Sequence, residues 1–239
     1  MKDFLSGVLI SSLLIIPFAS LANTVNLQVN GDIKAPTCNI NGVTQTDIIY
    51  DMGRVNFNVI PQTDIYMFPV NSNVTNNITV TCDAATFVFF DVQDTYASST
   101  LTKAPSNISI EHYYSVFHLV DEDNTASAIG GTFFRLKNMK VDNDDAYIAY
   151  IYDFTKSTSR LPYPTLFSDG IYTWSIKRAE AIDMATLASF SKPGKEFSMD
   201  VVQDNSYLLS REDLAKANID TSKEIKYKGE AVLIFKIGL

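Results

Sequence analysis

Through much of this chain apolar and polar residues alternate one for one, which sends successive side chains to opposite faces of an extended strand. The pattern runs through Val25, Leu27, Val29, Gly31 and Ile33 and on past Pro36 to Cys38 and Ile40. It returns at Ile78, Val80 and Cys82, and from Arg54 to Ile60 it predicts a half-buried strand carrying Val55, Phe57 and Val59. Thr86 to Val92 departs from strict alternation because Phe87, Val88, Phe89 and Phe90 are continuous, the composition of a central strand covered on both faces. Further strands are expected in Ile108 to Val120, Thr132 to Val141, Tyr147 to Phe154, Gly170 to Lys177 and Phe197 to Val202, each bounded by Gly, Pro, Asn, Asp or Ser. Gly229 to Leu239 reads as a strand rich in apolar residues that runs to the end of the sequence.

Two segments break the rhythm. Arg211 to Ala217 predicts one or two helical turns, with Ser210 as N-cap and Glu212 and Asp213 in the first turn. Arg178 to Phe190 is Ala-rich but holds no clean helical face, and the all-β context tips the expectation towards strand. Many short strands separated by turn residues point to an all-β sandwich.

The first residues follow a different logic. Lys2 precedes an apolar run from Phe4 to Phe18, and Ala19-Ser20-Leu21-Ala22 supplies small residues at a cleavage site, the layout of a signal peptide over residues 1–22. That run is shorter than a spanning helix requires, so no membrane span is expected. Cleavage leaves residues 23–239 as a single exported domain. A net charge of −8 with scattered Lys and Arg argues against nucleic acid as a partner. Two cysteines in an exported chain read as one disulfide, Cys38 to Cys82, closing a loop of roughly 44 residues.

With these elements in place, Val29-x-Gly31-x-Ile33-x-x-Pro36-x-Cys38-x-Ile40, the second cysteine in Ile78-x-Val80-x-Cys82-Asp83-Ala84, and the terminal Gly229-x-Ala231 strand resemble subunits of chaperone-usher fimbriae. More narrowly, Val80 to Thr86 followed by Asp91-x-x-Asp94-Thr95-x-x-Ser98-Ser99, and Lys223-Glu224-Ile225-x-x-x-Gly229-Glu230-Ala231-Val232, are similar to a family of fimbrial-like exported proteins of Gram-negative bacteria. The resemblance implies an immunoglobulin-like, pilin-type β-sandwich lacking its final strand. Its partners would be a periplasmic pilus chaperone, an usher and a neighbouring fimbrial subunit, engaged by strand addition. Leu233, Phe235 and Ile237 are then the residues expected along the strand-exchange groove. Such proteins travel through the periplasm to a fimbrium or the cell surface. This chain departs from those subunits in having Gly238 where they carry a penultimate aromatic, and only Asn23 and Thr24 between the cleavage site and the first strand. The second departure leads to the expectation of a subunit that accepts a strand without donating one, at a fibre tip or free.

Chemistry-bearing residues are sparse by comparison. His112 and His118 flank an aromatic stretch and would share one face of a strand; with no nucleophile in register they read as structural, and neither a catalytic site, a metal nor a cofactor is expected. Asp142-Asn143-Asp144-Asp145 reads as a polar hairpin turn in preference to a calcium loop. Tyr147, Tyr150, Tyr152, Tyr163 and Tyr172 form the candidate sugar-stacking set for an alternative reading, a self-sufficient secreted β-sandwich that binds a host glycan. A secreted hydrolase is a third reading, without a residue pair to carry it.

Overall fold

The structure is a computed structural model that describes residues 35–42, 54–69, 74–105, 115–151, 164–220 and 225–238. All of them belong to one packed unit. In chain order come β1 (Cys38–Ile40), a 3-10 turn (Phe57–Val59), β2 (Tyr66–Met67), β3 (Thr75–Thr86), β4 (Val88–Asp94), β5 (Phe117–Asp121) and β6 (Asn124–Val141). They are followed by β7 (Asp144–Asp145), β8 (Tyr147–Ile151), β9 (Ile171–Ser175), β10 (Ala179–Glu180), α1 (Met184–Phe190), β11 (Gly194–Leu208), α2 (Arg211–Lys216), β12 (Tyr227–Lys228) and β13 (Ala231–Ile237).

Two sheets result. The larger has the order β1-β3-β11-β6-β5-β12, with β2 added to β11 and β7 to β6; the smaller has the order β10-β8-β9-β4-β13. Every pairing is antiparallel except β10 with β8. The all-β expectation therefore holds, with two sheets and one disulfide.

The alternation in sequence explains where the core lies. Ile78, Val80 and Cys82 of β3, Phe197, Met199 and Val201 of β11, and Phe134 and Leu136 of β6 turn one face inward from the larger sheet. Val88, Phe90 and Val92 of β4, with Ile148 and Tyr150 of β8 and Tyr172 and Trp174 of β9, meet them from the smaller sheet. Trp174 is fully buried, and its indole N–H donates to Ser198 O at 3.0 Å, so one side chain ties the two sheets together. Both outer faces carry cores of their own. Ile129 and Phe133 of β6 and Tyr207 of β11 pack beneath Ile60, Phe68 and Leu214 on one side. On the other, Phe89 and Ala149 pack beneath Leu187 of α1. The continuous apolar run of β4 is thereby accounted for, with Phe90 in the central core and Phe89 in the outer one.

The larger sheet admits little slack where β6 crosses β11. A Cβ on Gly130 would lie 2.1 Å from Tyr207 O, so that position needs glycine. Beside it, β11 slips register between Asp204 and Tyr207, with Asn205 at φ 49°. Gln203, Thr132 and Ser206, all buried, satisfy one another there: Thr132 Oγ1 lies 2.6 Å from Ser206 Oγ and 3.3 Å from Gln203 Nε2.

Two expectations need correction. The stretch from Arg54 to Ile60 contains the 3-10 turn instead of a strand, because the Asn56 side chain accepts from Asn58 N at 2.9 Å and closes a tight turn, leaving Val59 exposed. Arg178 to Phe190, expected as strand, is a two-residue strand followed by a helix. Asp183 caps that helix by accepting from Thr186 N at 2.7 Å. The helix over Arg211–Lys216 is found with Ser210 as its cap, accepting from Asp213 N at 3.1 Å. The signal peptide, the strand through Val25 and Ile33, His112, Tyr152 and Tyr163 lie outside the described residues. Among the described residues no helix is long and apolar enough to cross a membrane.

Candidate functional site: the open edge of the terminal strand

Strand β13 lies at the end of the smaller sheet, paired with β4 from Ala231 opposite Asp94 to Ile237 opposite Val88. Thr95 N–H donates to Glu230 O at 3.0 Å and Gly238 N–H donates to Phe87 O at 2.9 Å, at either end of this ladder. Antiparallel hydrogen bonding alternates residue by residue. Glu230, Val232, Ile234, Lys236 and Gly238 therefore turn their main-chain groups towards β4. Ala231, Leu233, Phe235 and Ile237 turn theirs outward, where no strand lies beside them among the described residues.

The same four residues point their side chains to the inner face. Ala231, Leu233 and Phe235 are half-buried against the central core, and Phe235 sits 5.5 Å from the Phe90 ring and 6.4 Å from Trp174, centroid to centroid. Ile237, opposite Val88, is 40% exposed. The outward face adds Val232 and Ile234, each 38% exposed, and Lys236, which is ion-paired with Asp91 of β4. An edge strand with apolar residues on both faces has the composition of an interior strand, the reverse of the charged or interrupted edges that ordinarily block strand addition. The three residues expected along a strand-exchange groove thus share this edge, Leu233 and Phe235 half-buried and Ile237 exposed.

The disulfide fixes the corresponding end of the larger sheet. Cys38 and Cys82 face each other directly in the β1–β3 ladder, with Cα atoms 4.1 Å apart. Asp83 N–H donates to Thr37 O and Asn41 N–H to Thr79 O, so the cysteines occupy a pair without mutual main-chain bonds, where antiparallel side chains come closest. Cys38 and Ile40 pack half-buried against the same core as Leu233 and Phe235.

A second cluster was not legible in the sequence. Asp94 at the end of β4, Ser99 in the following loop and His118 on β5 come together. His118 Nδ1 lies 3.0 Å from Tyr96 O, 2.9 Å from Ser99 Oγ and 4.0 Å from Asp94 Oδ2. A carbonyl only accepts, so Nδ1 carries the hydrogen, and the nitrogen beside Ser99 has no lone pair to take its proton. These are the residue types of a catalytic triad in an arrangement that does not activate the serine. The Asp94 carboxylate accepts from His118 N at 3.0 Å and Tyr96 N at 2.9 Å, tying the two sheets at this corner. Burial pushes its carboxyl above the ordinary 3.8, against the lowering effect of those two amides and of His118. Asp94 and Ser99 stand close in sequence, but nothing in the spacing points to His118.

Among the described residues, the tyrosines of that set do not assemble into one surface. Tyr150 and Tyr172 are buried in the central core, while Tyr147 is exposed on the opposite face of β8. The acidic run forms the hairpin between β6 and β7, with Asp142 and Asn143 at positive φ of 52° and 69°. Asp142 Oδ1 accepts from Lys195 N and Glu196 N, each at 2.9 Å. Comparison of the chain with protein-family models, with curated proteins and with solved structures found no match.

Proposed function

We propose that this protein is a non-enzymatic fimbrial-type subunit or adhesin-like protein that acts by accepting a β-strand along β13, in pilus assembly or cell adhesion. On this reading the two-sheet architecture is an immunoglobulin-like, pilin-type sandwich left open at one edge. The protein is exported, and its disulfide forms in an oxidising compartment. The observation that carries the reading is the composition of β13: outward main-chain groups at Ala231, Leu233, Phe235 and Ile237, the first three with side chains half-buried against the core and Ile237 exposed. A periplasmic pilus chaperone or a neighbouring subunit would supply the missing strand. Main-chain hydrogen bonds would give affinity, and alternate apolar side chains would complete the core.

The test is thermal melting of the disulfide-bonded protein with and without a pilus chaperone, and with a nine-residue peptide of alternating Val and Thr. A rise in melting temperature, with the amides of Leu233 and Phe235 slowed in hydrogen exchange, is expected. A melting temperature unmoved by either strand source would sink the reading.

A further inference from the structure

We infer that β13 also pairs with β13 of a second copy of this chain, antiparallel and centred on Leu233. The inference rests on the strand-accepting reading of the same edge and names one occupant for it.

A two-fold axis through Leu233 sets residues whose numbers are equally far from 233 opposite one another. Main-chain groups turned outward then meet main-chain groups turned outward, since Ala231 faces Phe235 of the second copy and Leu233 faces Leu233. On the inner face a small side chain is set beside a large one, and on the outer face Val232 is set beside Ile234. At each end, Glu230 stands opposite Lys236 of the second copy. Glu230 is exposed, and Lys236, although paired with Asp91 in the same chain, keeps 57% of its side chain exposed, so Glu230 of the second copy can join that pair across the junction, and the symmetry forms the contact twice. Moving the axis by one residue towards the C-terminus sets Lys236 against Val232. Moving it one residue towards the N-terminus sets Lys236 against Lys228, like charges face to face. Charge complementarity therefore selects the Leu233 register, and it is the sequence of β13 itself that is self-complementary.

The experiment measures the mass of the disulfide-bonded protein across concentrations by sedimentation, alongside three variants. Ala231→Pro removes an outward N–H and leaves the bonds to β4 in place, so it is expected to abolish both the dimer and binding of the Val/Thr peptide. Glu230→Lys sets two like-charged pairs at the junction and is expected to weaken the dimer about tenfold while leaving peptide binding intact. Asp91→Asn with Lys236→Glu does the same with the opposite sign, and mixing it with Glu230→Lys is expected to restore dimers of mixed composition. A protein that stays monomeric at all concentrations yet binds the peptide overturns the dimer and leaves the strand-accepting reading standing. A dimer indifferent to Ala231→Pro places the contact elsewhere, and one lost with Ala231→Pro but indifferent to charge overturns the Leu233 register. If neither peptide nor second copy protects the Leu233 amide, both readings fail together.

Discussion

Asp142 shows how a single exposed carboxylate holds a connection in place. Its oxygen accepts two successive amides, those of Lys195 and Glu196, and these bonds hold its carboxyl below the ordinary 3.8. A carboxylate whose pKa is lowered on folding contributes stability above that ordinary value and loses it as the pH falls through the folded one. Asp142→Asn keeps an accepting oxygen but removes the titration. Its melting temperature is expected to drop less than that of the parent protein between about pH 5 and about pH 2.5. Asp94 works in the other direction. Burial raises its carboxyl, so the folded state retains a proton that the unfolded chain gives up, and its contribution falls as the pH rises from 3.8. Replacing both Cys38 and Cys82 by serine is expected to cost about 2–4 kcal/mol, read as a lower urea midpoint. The cysteine pair could be assigned from sequence because a chain with two cysteines leaves each of them one possible partner. The partners of Asp94 could not, because a loop and a change of sheet intervene before His118.

Elements were legible where local chemistry and tertiary packing agree. Ser210 with acidic residues behind it marks the start of α2, and the fold uses that signal directly. In α1, which Asp183 caps, a single residue, Leu187, is fully buried, and the rest of the helix is exposed or only partly covered. A helix held by one anchor gives no periodicity to read. Leu187→Ala is accordingly expected to cost about 2–5 kcal/mol and to release α1 from the sheet, measurable as a lower urea midpoint with faster exchange of the Ser191 amide. The strand expected from Arg54 to Ile60 failed for the opposite reason. Its alternation is real, but Asn56 offers its side chain to Asn58 and makes a turn cheaper than an extended segment.

At the scale of the molecule, three apolar layers enclose two sheets, and the alternation in sequence located the inner one well. It could not show that β4 and β13 would be neighbours, since that pairing depends on the whole intervening chain. Phe235 contributes unequally to the two states of the edge. In the free protein its half-buried ring makes Phe235→Ala cost about 1–2 kcal/mol, less than a fully buried ring would. The same variant is expected to lose most of the melting-temperature gain that an added strand confers, because the new strand would cover a cavity. The β4–β13 ladder also has a consequence in time. Each of its contacts closes a loop of roughly 140 residues, and loops of that span close slowly compared with hairpins and helices. Until it closes, β4 presents Phe90 and Val92 to solvent beside an unpaired edge, the condition in which partly folded chains aggregate. The fate of each newly made molecule is then a race between its own distant strand and whatever other strand arrives first.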